Sequence, residues 1–457
     1  MTISARFLLK GTLWTGAAFG LALLLRFVTN IILARLLAPQ LFGIMLLVNS
    51  FKTGIELISD VGVGQNIIYH QNANDQEFYN TAWTLQAIRG LVLWLLAFIL
   101  AAPFAHFYES PILLYVVPLT AFNFVLSGFS SVSISLLLKR LQIARYSMFE
   151  VVVAFVSSAA FVLFAYFWPT IWALVYGGLF GSAVPMIGSY FLLPDIKQRV
   201  YLSKRFAVQI LHFGKWVFAS SIVYFLSTNF DRLYLAKVIP LDLLGVYGIA
   251  RSMSELVGLL TLRFGNIVIF PLISSHAQMA RSELRKQLFS IRLIFLLLTG
   301  VCFSLIATTA DLLIRLLYDE RYQAAVWMLP LLIIGSWFSV LAFVNESTLL
   351  GLGKPSYGAI SNASKFTFLV IALPLGVAGF GLLGGILVIA FCDLVRYFPL
   401  LIGQKREHFS FGLQDALVTV AVFLLIWLWQ WLRFISGFGT SFDSLPIDVD
   451  SFFAAVR

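Results

Sequence analysis

Thirteen apolar runs dominate the hydrophobic pattern of the 457-residue chain, at about 11–33, 41–63, 82–104, 112–137, 147–168, 171–193, 214–238, 244–270, 290–310, 326–350, 357–378, 381–402 and 415–435. A helix rises ~1.5 Å per residue, so runs of about 20 residues are what a hydrocarbon layer ~30 Å thick demands. The pattern therefore predicts thirteen transmembrane helices. The polar stretches between them are short and leave no room for a soluble domain.

The runs also repeat. Leu33 to Gly43 reads LARLLAPQLFG, and 202 residues later Leu235 to Gly245 reads LAKVIPLDLLG, each lying between two long runs. Further along, Tyr108-Glu109 matches Tyr318-Asp319, Pro118-Leu119 matches Pro330-Leu331, and Tyr146 matches Tyr357, at separations of 210 to 212. An even number of spans between the copies gives both the same orientation. The predicted fold is an all-α integral membrane protein of two parallel six-helix repeats. The expected divisions are an N-lobe at 1–194 (helices 1 to 6), a cytoplasmic amphipathic linker at 195–212, a C-lobe at 213–403 (helices 7 to 12), and an extra helix with a tail at 404–457. The extra helix carries Trp427, Trp429 and Trp431 and is expected to pack peripherally or form an interfacial belt.

Composition agrees: 60% of residues are hydrophobic, 11% are charged and mean hydropathy is +0.93, against roughly 25% charged in a soluble domain. The net charge of +10 does not call for nucleic acid once its placement is followed. With a cytoplasmic N-terminus, 15 Lys and Arg fall on the inner side and 6 on the outer, the positive-inside bias of a membrane protein. The loop Gln65 to Asn80, with no Lys or Arg, departs from it. Cys302 and Cys392, both in predicted spans, imply no disulfide framework. The first apolar run holds Arg26 and lacks a small-residue cleavage site, so it is expected to be retained.

LARLLAPQLFG, SDVGVGQNIIYH (Ser59 to His70), FDRLYLAKVIPLDLLGVYGIARSM (Phe230 to Met253), FPLISS (Phe270 to Ser275) and GLGKPSYG (Gly351 to Gly358) occur in this order. Together they resemble the polysaccharide transporter family, the Wzx-like flippases of the multidrug/oligosaccharidyl-lipid/polysaccharide superfamily. The resemblance covers about residues 5–405. It implies two six-helix lobes around a central cavity and alternating access that carries an undecaprenyl-pyrophosphate-linked oligosaccharide from the cytoplasmic to the periplasmic leaflet. It also implies a bacterial inner-membrane location, a role in O-antigen, capsule or exopolysaccharide synthesis, and no cofactor beyond a coupling proton or sodium ion. A monomer is expected, associating with polysaccharide assembly enzymes. Family members commonly have twelve or fourteen spans, so thirteen is a departure.

Charges inside the predicted spans supply the candidate site, because each costs roughly 2.5–3.5 kcal/mol near the bilayer centre unless it faces protein or water. Arg26 and Asn30 are four apart on the first helix and share a face. The repeat puts Thr228 and Arg232 at the same positions of the seventh. Arg26 lies about 10 Å from its helix end, far for snorkelling, so it is expected to face the cavity; Arg232 is either a cavity cation or a snorkelling anchor. Lys52 and Glu56, and Arg251 and Glu255, repeat the spacing of four in the second and eighth helices. They either neutralise themselves or present cations (Lys52, Arg251) to the pyrophosphate while Glu56 and Glu255 hold them or bind the coupling ion. Arg263 joins the cationic candidates; Arg89 and Lys365 have no partner at helical spacing. Asp393 and Arg396 read as a structural ion pair, Glu150 and Glu346 as solvated, and Asp231 as pairing with another helix. Gly62, Gly64, Gly265 and Pro271 are candidates for a lateral gate, or for ordinary close packing.

No G-x-x-x-x-G-K-[ST] loop, nucleophile elbow or clustered histidine set occurs. The chain is therefore not read as an enzyme, and an integral-membrane glycosyltransferase or polysaccharide polymerase, which needs larger outer loops, is the weaker alternative. A multidrug or cation antiporter should favour cavity acids, whereas these candidates are mostly basic.

Overall fold

Among the described residues, helices occupy the predicted apolar runs. In the computed structural model, residues 5–59, 63–69, 75–140, 142–196, 198–265, 269, 272–273 and 279–446 are described. They divide into two compact units, 1–225 and 226–457. Helices of sufficient length and apolarity to cross a membrane, among the described residues, number eight, with one further bent pair. Three others, Pro39–Ile58, Lys204–Val238 and Leu241–Phe264, coincide with the second, seventh and eighth predicted spans.

In the first unit the order is α1 (Ala5–Leu36), α2 (Pro39–Ile58), α3 (Val63–Tyr69), α4 (Gln76–Phe107), α5 (Leu113–Ala121), α6 (Asn123–Gly128), α7 (Ser133–Lys139), α8 (Ile143–Phe167), α9 (Ile171–Leu192) and the first part of α10 (Lys204–Val238). Asp75 caps α4 by accepting from the Phe78 amide at 3.2 Å. The fourth predicted span, 112–137, is broken into α5, α6 and α7, with a bend of 53° before α7. A break inside a bilayer frees backbone carbonyls that lipid cannot satisfy. Neighbouring side chains add donors along the break: Tyr190 donates to the Phe129 carbonyl at 2.6 Å, while Trp94 and Gln86 donate at 3.1 and 2.9 Å to the Pro118 and Ser127 carbonyls, which also accept from the Phe122 and Ser130 amides. Gly90 admits the break by close approach, since a Cβ there would overlap the Phe124 carbonyl.

The predicted linker 195–212 is non-helical only as far as Ser203. No proline or glycine interrupts Lys204 to Phe213, so α10 starts at Lys204 and continues into the seventh span. The preceding strand of chain lies on α4: the amides of Arg199, Tyr201 and Ser203 donate to Asn80, Thr84 and Thr81 at 3.1, 3.0 and 3.1 Å. Polar residues at the start of α4 thus give the connector its backbone partners.

The second unit continues with the end of α10, then α11 (Leu241–Phe264), α12 (Arg281–Leu317), α13 (Ala325–Gly351), α14 (Ser356–Arg406) and α15 (Gly412–Ile435). The repeated motif folds alike in both units: Ala38 before α2 (φ −72°, ψ 145°) and Pro240 before α11 (φ −58°, ψ 148°) are equally extended. α14 is two spans, reversed at Phe380 and Gly381; the latter has φ 58° and ψ −147°, a conformation open to glycine alone.

The thirteenth span, expected at the periphery, is fastened at both ends. Arg292 of α12 is fully buried against Asp415 of α15, and Asp415 also accepts from Asn345 (3.1 Å) and Tyr397 (2.9 Å). Toward the other end, Arg433 of α15 pairs through two 2.6 Å bonds with Asp311 of α12. Trp427 and Trp431 stack at 6.4 Å on the exposed side, as a belt would.

Candidate functional site

A ladder of alternating charge crosses the second unit. Tyr247, Arg251 and Glu255 follow one another at intervals of four on α11, so they share a face. Arg232 Nη2 of α10 donates to both oxygens of Glu255 at 2.7 Å, and Arg251 Nε lies 3.1 Å from the same carboxylate. Asp231 accepts from the Tyr247 hydroxyl and lies 3.4 Å from Arg251. The reversal of α14 then brings Lys365 to Asp393 at 2.9 Å. Arg396 is 3.7 Å from Asp393, pairs with Glu346 of α13, and has its guanidinium 4.5 Å from the centre of the Phe343 ring. Arg251 is within electrostatic range of both Lys365 and Asp393. Four cations thus face four carboxylates, which leaves the ladder without net charge.

The first unit is differently arranged. α1 buries Thr29, Leu33 and Ala34 and packs on α8. Leu24, Val28 and Ile32 form an exposed apolar face suited to lipid. Arg26 and Asn30 are also exposed, yet each is two residues from members of that apolar face, hence about 200° around the helix from them. A charge would not be stable in lipid, so this second exposed face suits water. On α2, Asn49, Lys52 and Glu56 form a polar strip at helical spacing. Lys52 lies in the electrostatic range of Glu56, but neither makes an ion pair within 4.0 Å among the described residues.

Beside Glu56, a polar cavity of ≈ 200 Å³ is also lined by Arg89, Gln86, Ser127 and Gly64. Arg89 closes the end of α2 from α4, donating to the Glu56 carbonyl at 2.8 Å and to the Ser59 hydroxyl at 3.0 Å. It thereby joins the Ser59 amide and hydroxyl, which also donate to the Glu56 carbonyl, in capping the helix end.

The structure corrects several expectations. Asp393 and Arg396 do form the ion pair read from their spacing, at 3.7 Å, but each has a closer partner, Lys365 for Asp393 and Glu346 for Arg396. Glu346 is not a solvated end group but part of the ladder. Arg89 finds its partners at the end of α2, the Glu56 carbonyl and the Ser59 hydroxyl, rather than at helical spacing. Asp231 pairs across to α11 as read, and Glu255 is a charge partner of both Arg232 and Arg251. Glu150 accepts from Tyr146 at 2.6 Å. Gly265 is helical (φ −55°, ψ −47°) and a Cβ would overlap the Ser347 hydroxyl, so it lets α11 close on α13. Gly62, Pro271 and the side chain of Arg263 lie outside the described residues. Tyr247, Arg292, Asn345 and Asp415 were missed, the last three because they sit at or near the ends of apolar runs.

Eight long apolar helices among the described residues, with ion pairs buried between those of the second unit, define a polytopic membrane protein. The chain belongs to the family described as polysaccharide biosynthesis protein, matched over residues 32–327. It is similar to the lipopolysaccharide biosynthesis protein WzxC of Escherichia coli K12, 21% identical over 88% of this chain and 83% of that protein. It also resembles a putative O-antigen transporter of Shigella flexneri, 24% identical over 49% and 53% of the two chains. Among solved structures, an inward-facing multidrug resistance MATE transporter matches with a TM-score of 0.69, covering 84% of this chain and 94% of that one at 14% identity. The lipid II flippase MurJ matches at 0.68, covering 91% and 92% at 12% identity. The chain shares the fold of these two structures.

Proposed function

We propose that the protein is a flippase that moves an undecaprenyl-pyrophosphate-linked oligosaccharide from the cytoplasmic to the periplasmic leaflet of a bacterial inner membrane. The N-terminus is cytoplasmic in this reading, and alternating access presents the binding faces to each side in turn. The observation that carries it is the distribution of charge. In the second unit every ladder carboxylate has a cationic partner, whereas Arg26, on a polar face of the first, has none among the described residues. A carrier of cations would need carboxylates in excess; the ladder has none to spare, and in the first unit Glu56 is balanced in number by Lys52 one turn away, so the charge left over, Arg26, is positive and suits a pyrophosphate. Relatives named as lipopolysaccharide and O-antigen proteins, and a lipid II flippase of like fold, agree.

Arg26 and Asn30 would receive the diphosphate and the first sugar hydroxyls, while the polyprenyl chain stays in lipid. Carrying the headgroup through bare hydrocarbon would strip its hydration, and a wet polar face lowers that barrier. Lys52 and Arg263 are further candidates for the anion. Glu56, on the polar cavity, is the candidate for a coupling proton or sodium ion. Gly62, Gly64, Gly265 and Pro271 remain candidates for the gate, and assembly enzymes remain candidate partners of a monomeric carrier. The test is Arg26→Ala, reconstituted after insertion and thermal stability are matched to the parent. The expected result is a loss of at least about tenfold in the rate of lipid-linked glycan transfer, the worth of about 1.4 kcal/mol, with partial recovery in Arg26→Lys. Normal transfer by Arg26→Ala would remove the residue from the site.

A further inference from the structure

We propose that Glu255 is a built-in substitute for the substrate's diphosphate, occupying an anion site made by Arg232 and Arg251 until the substrate displaces it. The inference rests on the flippase reading for the identity of the ligand.

Two guanidinium groups converge on one carboxylate, with Arg232 bonded to both of its oxygens at 2.7 Å and Arg251 at 3.1 Å. Convergent guanidiniums are the arrangement that recognises phosphate oxygens. The carboxylate does not use all that they offer: Nε of Arg232 and Nε of Arg251 are both buried without a hydrogen bond of good geometry. A planar carboxylate presents its acceptors in one plane, whereas a tetrahedral phosphate presents them in several directions and can meet donors that a carboxylate misses.

Exposure falls inward from Glu255. Its side chain is 36% exposed, against 19% for Arg232, 11% for Arg251 and 4% for Asp231. Glu255 is therefore the outermost member and the one able to swing away. Asp231 is held by Tyr247 and stays to orient Arg251. Deeper in the ladder, Lys365 and Arg396 have their own carboxylates, Asp393 and Glu346, and take no part in the exchange. With Glu255 withdrawn, Arg232, Arg251 and Asp231 carry one net positive charge. The outer site then attracts an anion, and in its absence the arginines are not left unpaired, a state that is costly for a buried charge.

The experiment titrates inorganic pyrophosphate into the purified full-length protein in nanodiscs, by calorimetry, comparing the parent with Glu255→Gln. Removing the internal competitor is expected to tighten pyrophosphate binding at least tenfold, and adding Arg232→Met to Glu255→Gln is expected to abolish the gain. Glu255→Ala serves as the second variant should the glutamine protein lose thermal stability. Unchanged or weaker binding in the stable variant, or a gain that survives Arg232→Met, overturns the proposal. Transfer of lipid-linked glycan by the parent is measured alongside. Transfer without the gain sinks the substitute while leaving the flippase reading; the gain without transfer leaves an anion site and sinks the flippase reading.

Discussion

Gly335 sets the closest approach in the second unit, because a Cβ there would overlap the Ala390 carbonyl across α13 and α14. Gly335→Ala is expected to force these helices apart and cost about 1–3 kcal/mol. Gly20→Ala in α1, whose Cβ would meet nothing within 4 Å, is expected to be neutral or slightly stabilising, as helical propensity alone dictates. Thermal unfolding of both in one detergent checks the contrast; equal shifts would show that Gly335 is not a contact point. Local spacing made part of the site legible. Arg26 with Asn30, and Arg251 with Glu255, were readable because residues four apart share a helix face. Spacing found only the farther partner of Asp393, Arg396 at three, and missed the nearer cation, Lys365, 28 positions away. A buried carboxylate takes the partner of best geometry from any neighbouring helix, and sequence distance does not report that.

α12 and α15 carry opposite charges in opposite order, Arg292 then Asp311 on one, Asp415 then Arg433 on the other, with similar spacings. Two parallel helices of that pattern pair at both ends, as they do here, and the signal was present in the sequence. Asp415→Ala leaves Arg292 buried and unpaired and is expected to cost about 3–5 kcal/mol, as is Arg292→Ala. The double variant is expected to cost less than the sum of the two, measured by thermal or denaturant unfolding; strict additivity would mean the buried pair has no coupling. The reversal inside α14 was legible as two apolar runs meeting at Gly381. The break of the fourth span was not. Pro118 lies within α5 of the broken span, but its counterpart Pro330 lies within continuous α13, so proline does not separate the two cases. What accompanies the break is its side-chain support, Trp94, Gln86 and Tyr190, drawn from α4 and α9. Tyr190→Phe is therefore expected to lose about 1–3 kcal/mol by orphaning the Phe129 carbonyl; no change in unfolding would show that the carbonyl has another partner.

Across the molecule the repeat in sequence is a repeat in fold, yet the two units use their charge differently. The second is neutralised at rest, its buried pairs such as Arg292 with Asp415 and Lys365 with Asp393 holding its shape while Glu255 lies at the exposed end of the ladder. The first leaves Arg26 on a polar exposed face and Lys52 and Glu56 without close ion partners among the described residues. That asymmetry was not legible from the sequence, where Arg26 and Arg232 occupy nearly equivalent positions. It follows from Asp231 and Glu255, which the second unit supplies around its arginines. The central claim is that this charge distribution serves to carry a lipid-linked anionic glycan. The most direct measurement places the purified protein in liposomes with a fluorescent polyprenyl-pyrophosphate oligosaccharide in the inner leaflet and scores its arrival outside, with and without a proton or sodium gradient. Protein-dependent arrival, reduced in Arg26→Ala, is the predicted result. No arrival under any gradient, with a cationic dye accumulated instead, would contradict the account and make the protein a multidrug antiporter.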